Sequence, residues 1–229
     1  MKIRFLGQSG YLLQSGQTEI MIDPYLSDSV NRVGGRPRLL PIPLQPQDVH
    51  CDAIICTHNH LDHLDPDTVA GIAPAQFYLT TDEGKEALRQ QGRTNVRALH
   101  AGEEVTVGDF RIHAVFADHT VEAFGVVVEA EGHRAYFSGD TLYNEKLFDI
   151  ADLRPDVTFI CINGRLGNMS TEEALTVARR IGAPVNVPTH YDMFASNSAD
   201  PQAFAAHIAG GFIMDFDQTY TLDDSGLHA

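Results

Sequence analysis

The stretch Thr57-His58-Asn59-His60-Leu61-Asp62-His63 is the most informative part of this sequence, and it directly follows the apolar run 52–57. Four potential metal ligands fall within six residues, where a buried strand is predicted to end. On a helix His58 and His60 would diverge, because side chains two positions apart do not share a face. A turn that leaves a strand can instead aim all four side chains into one crevice. Cys56, two residues before His58, lies inside the apolar run and is expected in the core. The remaining imidazole and carboxylate ligands favour a catalytic site for zinc or a similar divalent ion.

The segments around this stretch predict an α/β fold. Before it, alternating apolar residues indicate three strands within 2–22, and repeated prolines with a Gly-Gly pair predict a long loop over 24–48. After it, strand and helix patterns alternate, and capping residues mark helix starts at Asp65 and Ser170. Two β-rich halves, each followed by helices, predict two sheets between outer helix layers, in a single domain over 1–229. The later predicted strands are 76–80, 105–107, 110–117, 123–130, 134–138, 157–162, 184–189 and 218–222, and the predicted helices are 66–72, 82–91, 143–152, 171–181 and 201–209.

The composition describes a globular protein with a large excess of acidic residues. Apolar residues make up 43% of the chain, and 31 Asp and Glu against 16 Lys and Arg give a formal net charge of −15. This charge argues against nucleic-acid binding, which needs clustered cations, and against docking on anionic membranes. No apolar run is long enough to span a bilayer, and the three cysteines lack the spacing of a redox or zinc motif. We therefore expect a cytoplasmic protein.

The spacing His58-x-His60-x-Asp62-His63 resembles the signature of the metallo-β-lactamase superfamily. The resemblance implies a four-layer αββα sandwich, which agrees with the two β-rich halves. It also implies one or two divalent metal ions, zinc or manganese, as cofactors. Further ligands are implied after later strands, and this sequence offers His119, Asp140 and His190 there. In the implied assignment, His58, His60 and His119 hold one ion, Asp62, His63 and His190 hold a second, and Asp140 bridges them.

Other stretches are similar to the L-ascorbate-6-phosphate lactonase branch of that superfamily. The resemblance implies a metal-dependent hydrolase that opens a lactone or ester of a small anionic, sugar-phosphate-like substrate. We expect attack by a hydroxide that the metal generates from water, with Asp140 and Asp62 orienting this hydroxide and taking its proton. The similar stretches are Gly7-Gln8-Ser9-Gly10, 22–29, Ile162-Asn163-Gly164-Arg165, Gly167-Asn168-Met169-Ser170 and His190-Tyr191-Asp192-Met193-Phe194.

Five further residues are candidates for binding the substrate. Arg165 is suited to a phosphate or carboxylate group, because its planar guanidinium can meet two oxygen atoms at once. A ligating histidine usually gives its other N–H to a partner, and Asn168, Tyr191 and Asp192 are candidates for that role. Asp23, at the end of an early strand, is a further candidate for it. The substrate-binding candidates are Arg165, Arg36, Arg38, Asn168 and Tyr191.

Two other functions would use the same ligands. Phosphodiester hydrolysis is one, but on a polynucleotide it predicts a basic tract, which this acidic chain lacks. A non-catalytic metal-binding protein of the same fold is the other, and missing ligands would favour it, whereas a full set is present. The expected partner is thus a small anionic substrate rather than nucleic acid or a membrane, and assembly into a homo-oligomer is left open.

Overall fold

Alternating burial along the strands divides the apolar residues between two layers. Ile20 and Ile22 face the core between two stacked β-sheets, while Met21 between them packs with a second apolar cluster beneath the helices. This division follows from the two-residue period of an extended chain. Tyr11 joins the two sheets directly, because its ring centroid lies 5.0 Å from that of Phe137.

The computed structural model describes residues 1–74 and 76–229. Within these ranges the strands are β1 Lys2–Gly7, β2 Gly10–Ser15, β3 Thr18–Ile22, β4 Ala53–Ile55, β5 Tyr78–Thr80, β6 Val96–Ala98, β7 Glu104–Val107, β8 Phe110–Phe116, β9 Phe124–Ala130, β10 His133–Phe137, β11 Val157–Cys161, β12 Val185–Thr189, β13 Thr219–Asp223 and β14 Gly226–His228. The α-helices are α1 Ser29–Gly34, α2 Pro66–Gly71, α3 Asp82–Gln90, α4 Thr171–Ile181 and α5 Pro201–Ala205, and two 3₁₀ helices cover Pro46–Asp48 and Glu145–Leu153.

One sheet has the strand order β14-β13-β1-β2-β3-β4-β5-β6, and the other has the order β12-β11-β10-β9-β8-β7. Strands β3 to β6 run parallel to one another, and so do β10 to β12. Parallel strands end at the same edge of a sheet, so the segments that follow them meet there. Helix α4 packs on β11 and α3 on β6, at the outside of each sheet. The predicted αββα sandwich is thereby confirmed.

Two predicted segments take a different form. The loop over 24–48 contains α1 and a short 3₁₀ helix, and the predicted helix 143–152 is a 3₁₀ helix. In that 3₁₀ helix, the buried residues Leu147 and Ile150 are three positions apart. They share one face because a 3₁₀ helix has three residues per turn.

Other differences arise at the C-terminal end and in short strands. Helix α5 ends at Ala205, before its predicted end at 209, because the chain turns back to pair with β12. The Asn186 N–H donates to the carbonyl of Gly210 at 2.8 Å, and the Phe212 N–H donates to the carbonyl of Asn186 at 2.9 Å. Strands β6 and β14 were not predicted, since neither is a continuous apolar run: Arg97 of β6 and His228 of β14 are exposed, whereas all three residues of β4 and of β5 are buried. In the described part of the chain, no helix is both long and apolar enough to cross a membrane.

Candidate metal centre

The seven predicted ligands meet at one edge of the sandwich. Residues 58–63 follow β4, His119 follows β8, Asp140 follows β10 and His190 follows β12. Strands β8 and β10 end at the same edge because both are antiparallel to β9. The stacking of the sheets places this edge beside the end of β4. The ligand atoms fall into two groups, and their role in binding metal remains our prediction, which the following geometry supports.

His58, His60 and His119 form the first group. His60 Nδ1 lies 3.1 Å from His58 Nε2 and 3.1 Å from His119 Nε2. Two nitrogens that bind one tetrahedral ion at 2.0–2.1 Å lie about 3.3–3.4 Å apart. The three nitrogens are therefore spaced as ligands of a single ion.

Asp62, His63 and His190 form the second group, and Asp140 lies between the groups. Asp62 Oδ2 is 3.5 Å from His190 Nε2 and 3.9 Å from His63 Nε2. Asp140 Oδ1 is 3.2 Å from His63 Nε2 and 3.3 Å from His190 Nε2. The other oxygen, Asp140 Oδ2, is 3.9 Å from His58 Nε2 in the first group. Each oxygen of Asp140 thus faces a different group, as a bridging carboxylate requires.

Among the predicted ligands, two buried atoms make no hydrogen bond of good geometry with the described residues. They are His63 Nε2 and Asp140 Oδ1, which lie 3.2 Å apart. A buried polar atom without a partner costs about 1–3 kcal/mol, and native proteins rarely contain one. A divalent ion would satisfy both atoms, and the mixed imidazole and carboxylate donors suit zinc or manganese. The residues present therefore fit a metal cofactor.

Asp23 determines which nitrogens of two histidines face the centre. His63 Nδ1 donates to Asp23 Oδ2 at 2.8 Å, and the Thr57 hydroxyl donates to the same oxygen at 2.7 Å. The Thr57 oxygen also lies 3.1 Å from His58 Nδ1, and it accepts there because its own proton goes to Asp23. In both rings Nδ1 carries the proton and Nε2 is left for a metal ion. The structure thus places Asp23 where its predicted orienting role requires.

Gly167 sets the position of His119. The φ of Gly167 is +93°, a conformation that favours glycine, and an added Cβ would lie 2.8 Å from His119 Nδ1. The Gly167 carbonyl lies 3.0 Å from that nitrogen. Because a carbonyl only accepts, Nδ1 of His119 carries the proton and its Nε2 faces the centre.

Three other residues of the centre have left-handed backbone without being glycine. Their φ angles are +57° at Gln8, +44° at Asp23 and +65° at His190. Such conformations cost of order 1–3 kcal/mol each and persist only where neighbouring structure enforces them. Here the Gln8 carbonyl accepts from the His190 N–H at 2.9 Å and from the Thr189 hydroxyl at 2.8 Å. Strained backbone is therefore concentrated, and held by hydrogen bonds, at the edge that carries the ligands.

Gln8 belongs to the centre but was not predicted to do so. Its side chain is buried, and its Nε2 donates to Asp62 Oδ2 at 2.7 Å and lies 3.0 Å from His190 Nε2. Strands β1 and β3 are both antiparallel to β2, so the residue after β1 reaches the same edge as the ligands. A polar residue directly after a strand was the signal available in the sequence.

Carboxylates keep the histidines of the second group protonated when no metal is bound. Burial alone would lower the pKa of His190, but Asp140 and Asp62 raise it to about 9. The pKa of His63 lies well above its usual value, because Asp140, Asp23 and Asp62 outweigh its burial. In return, His63 and His190 hold the pKa values of Asp62 and Asp140 below the usual range, against the effect of burial.

The first group has the opposite electrostatic character. Burial lowers the pKa of His58 well below its usual value, and the neighbouring His63 lowers it further. Burial and the nearby His119 also lower the pKa of His60. His58 and His60 are therefore neutral at pH 7, in the form that binds metal.

A cavity of about 490 Å³ opens beside the centre. His60 and Asp62 line it on the side of the metal ligands, and Val30, Leu61 and Leu166 give it apolar surface. This volume lies within the range of about 300–1,000 Å³ that is usual for small-molecule sites. The cavity is the place where a substrate can reach the centre.

Arg36 and Arg38, the two substrate-binding candidates in the loop over 24–48, have different surroundings. Arg36 lines the cavity and has no hydrogen-bond or ion-pair partner among the described residues. The Arg38 guanidinium instead donates to the carbonyls of Leu40 and Ser27, both at 2.7 Å, and lies over the ring of Tyr25. Arg38 therefore holds the loop in place, which differs from its predicted contact with substrate.

Arg165 and Asn168 flank the loop residues Leu166 and Gly167, which line the cavity, but they are not part of its wall. Arg165 is exposed, and its Nη1 donates to the carbonyl of Ser196 at 3.4 Å. Asn168 is buried, and its Nδ2 donates to Asn163 Oδ1 at 2.9 Å. Asn163 in turn donates to Asn197, which lines a small cavity against Asp140 and His190. Asn168 thus reaches the centre only through two other amides.

Tyr191 follows His190 in the chain but turns into the core. Its hydroxyl donates to the carbonyl of Met214 at 3.4 Å, and its ring centroid lies 6.0 Å from that of Phe5. The buried Tyr191 ring supports the segment that contains His190. This position differs from the predicted contact of Tyr191 with substrate.

Comparison with known proteins agrees with this fold and site. A family model described as a beta-lactamase superfamily domain matches residues 18–191. The chain belongs to the metallo-β-lactamase superfamily.

A UPF0173 metal-dependent hydrolase of Oenococcus oeni is 29% identical over 239 residues, which cover 96% of this chain and 99% of the relative. A protein of the same name from Staphylococcus epidermidis is 28% identical, with 93% of this chain and 96% of the relative covered. The resemblance to the lactonase branch stays a prediction.

Solved structures share the fold over almost the whole chain. A metallo hydrolase, Igni18, of Ignicoccus hospitalis aligns with a TM-score of 0.77 at 23% identity, covering 95% of this chain and 96% of that one. An isothiocyanate hydrolase from Delia radicum gut bacteria aligns with a TM-score of 0.81 at 20% identity, covering 97% and 99%. At these identities, the likeness establishes the architecture.

Proposed function

We propose that this protein is a metal-dependent hydrolase that opens a lactone or ester of a small anionic substrate. The observation that carries the proposal is the position of Asp140, whose two carboxylate oxygens face two separate groups of histidines beside an open cavity. The names of the relatives support hydrolysis in general. We propose zinc or manganese as the cofactor, because both accept imidazole and carboxylate ligands.

The proposed metal site divides the ligands between two ions. When bound, divalent ions lower the pKa of a coordinated water toward about 7 and polarise a carbonyl oxygen. His58, His60 and His119 would hold the first ion, and burial lowers the pKa of both His58 and His60, which favours the neutral form that binds metal. Asp62, His63 and His190 would hold the second, and Asp140 would contact both.

Asp140 and Asp62 differ in exposure, and we therefore assign them different roles toward the reacting water. Asp140 is buried and is surrounded by ligands, so it orients the reacting water. Asp62 retains 17% exposure of its side chain and lines the cavity, where one oxygen is held by Gln8. Asp62 can therefore accept a proton from the reacting water and release it toward the cavity.

The anionic part of the substrate would meet Arg36. The chain carries a formal net charge of −15, so binding an anion requires local positive charge. Arg36 supplies it, since it lines the cavity and its side chain is not paired with an acid among the described residues.

Metal analysis and a substrate panel test this function together. Purified protein is expected to contain one or two equivalents of a divalent ion and to hydrolyse lactones or carboxylic esters faster than phosphodiesters or β-lactams. The panel includes an isothiocyanate, because one structural neighbour is named as an isothiocyanate hydrolase. Preferential phosphodiester hydrolysis would support the alternative enzyme, and metal binding without turnover would support a non-catalytic protein.

Substitutions at Asp140 and Arg36 test the assigned roles. Asp140→Asn, compared at equal metal content, is expected to lower kcat at least a hundredfold, and unchanged hydrolysis would remove Asp140 from its role. Arg36→Gln is expected to raise KM for carboxylate-bearing esters about tenfold and to leave neutral esters unaffected. Arg32→Gln is the matched control, because Arg32 lies in the same loop but pairs with Asp67 at 2.6 Å.

A further inference from the structure

Leu166 is exposed in a way that folding alone does not favour. Its side chain is 59% exposed, and its φ of +54° is left-handed. An exposed leucine gives up the free energy that burial would supply, and left-handed backbone costs a residue other than glycine of order 1–3 kcal/mol. Both costs fall on a residue that lines the cavity beside the metal ligands.

The loop that carries Leu166 is nevertheless held in place on both sides. The Gly164 N–H donates to the carbonyl of Met169 at 2.8 Å, which closes the loop. The Gly167 carbonyl, one residue after Leu166, binds His119 Nδ1. The position of Leu166 is thus tied to a metal ligand.

The wall of the cavity is also apolar at two further residues, while Arg36, Thr120 and the predicted ligands His60 and Asp62 supply its polar groups. Val30 of α1 and Leu61, between two ligands of the motif, face the same space as Leu166. Hydroxyl groups of a sugar placed against Leu166, Val30 and Leu61 would lose hydration and gain no hydrogen bond from these three side chains. An aliphatic chain would lose nothing there and would bury apolar surface on both sides.

We infer that the substrate carries an aliphatic arm that packs against Leu166, Val30 and Leu61 next to the reacting carbonyl. This inference rests on the proposed function for the carbonyl chemistry, but the binding of the arm can be tested without turnover. The substrate class is then an aliphatic ester or lactone with an anionic group near Arg36, rather than a sugar derivative. The cavity of about 490 Å³ has room for an arm of several carbons.

The affinities of a series of alkyl hydroxamates test binding of the aliphatic arm without requiring hydrolysis. These probes bind metal through one head group while their chain length varies, and calorimetry on the metal-loaded protein gives Kd for each. From acetohydroxamate to hexanohydroxamate we expect affinity to rise at least tenfold, because partial burial of each methylene contributes about a twofold gain or more. Equal affinities along the series, or no binding by any member, would overturn the inference.

Two leucine variants test whether the gain in affinity with chain length arises at Leu166. Leu166→Ser is expected to weaken hexanohydroxamate at least fivefold while acetohydroxamate changes by less than twofold. The substitution removes little packing, because Leu166 is largely exposed. Leu39→Ser is the matched control, since Leu39 is 57% exposed and does not line the cavity. A similar loss in both leucine variants would show that the arm does not pack on Leu166.

The same protein preparations separate this inference from the proposed function. If chain length strengthens hydroxamate binding but no ester or lactone is hydrolysed, the aliphatic site stands and the proposed reaction is wrong. If esters are hydrolysed but hydroxamate affinity is independent of chain length, the reaction stands and the aliphatic site is wrong.

Discussion

His63 Nδ1 donates to Asp23 Oδ2 across 2.8 Å, and both side chains are completely buried. The two residues are forty positions apart, but β3 and β4 are adjacent parallel strands, so the residues that follow them meet. The carboxylate orients the imidazole so that Nε2 faces the second ligand group. Asp23 therefore acts on the metal site without being one of its ligands.

Replacing Asp23 is expected to weaken the second ion selectively. Asp23→Asn keeps the size of the side chain but removes the charge that orients and polarises His63, and loss of such a partner typically costs 10–100-fold in metal affinity. A competition titration with a chromophoric chelator measures the two binding steps. Asp28→Asn is the control, because Asp28 pairs with Asn31 in the nearby loop and contacts no ligand. Equal affinities in Asp23→Asn and the parent protein would contradict the orienting role.

Gln8 is expected to support the same ion from the other side. Gln8→Leu retains the bulk of the side chain but removes the amide N–H that Asp62 accepts at 2.7 Å. We expect the second ion to bind at least tenfold more weakly and the first ion to change by less than threefold. Gln14→Leu serves as the comparison, since Gln14 lies on β2 away from the centre. The idea fails if both glutamine variants keep the parent stoichiometry and affinity.

Metal uptake at the two positions is expected to depend differently on pH. His190, with its pKa raised to about 9, and His63 must each lose a proton before they bind an ion. Affinity at the second position should therefore increase as pH rises from 6.5 toward 9, with release of one to two protons per ion. His58 and His60 are already neutral at pH 7 and release no proton there, so affinity at the first position should change less with pH than affinity at the second. Calorimetry in buffers of different ionisation enthalpy counts the protons, and equal release at both steps would refute this assignment.

The same shifts predict the pH dependence of the metal-free protein. A histidine whose pKa is raised on folding adds stability that is fully present below its unfolded value near 6.5. That contribution is lost as pH rises through the folded value, which is about 9 for His190. Urea unfolding of the metal-free protein should therefore show decreasing stability from pH 6.5 to 9. Saturation with metal should remove this trend, and a rising trend without metal would contradict the pairing with Asp62 and Asp140.

Gly167 is expected to matter for both stability and the first ion. Gly167→Ala introduces a Cβ 2.8 Å from His119 Nδ1 at a φ of +93°, so the loop or the ligand must move. The strain should lower the free energy of unfolding by about 1–3 kcal/mol, and the first ion should bind at least tenfold more weakly. Gly182→Ala is the matched control, because its φ is +74° but nothing lies within 4 Å of the added Cβ. If Gly182→Ala weakens metal binding equally, the effect is not specific to His119.

The fold was predictable because its signals are local. The two-residue period of β3 and the capping box at Ser170 and Glu173 each reflect contacts within a few residues, and both are present in the structure. The three-residue strands β6 and β14 were not predicted, because they contain exposed residues, whereas the equally short β4 and β5 are fully buried and lie in apolar runs. Helix α5 ended early for a tertiary reason, namely the pairing of Asn186 with Gly210.

The candidate site was predictable in its ligands but not in what surrounds them. His and Asp residues directly after apolar runs indicate metal ligands at a sheet edge, and this signal is independent of the rest of the chain. Gln8 was marked by its position after a strand and by its place in the stretch 7–10 that resembles the lactonase branch, but neither indicated a contact with a ligand. Its bond to Asp62 depends on β1 and β4 ending at the same edge. Arg36 and Arg38 look alike in sequence, and only the folded loop leaves one guanidinium unpaired and occupies the other.

By itself, the sequence determined the chemistry of the centre, because the types of donor and their spacing in 58–63 are properties of the covalent chain. The tertiary structure decided how those donors are grouped, which nitrogen of each ring is free, and that the adjoining wall is apolar. These features arise from contacts between segments far apart in the chain, such as Asp23 with His63 and Gly167 with His119. Such contacts depend on strand order and sheet stacking, which no local pattern encodes.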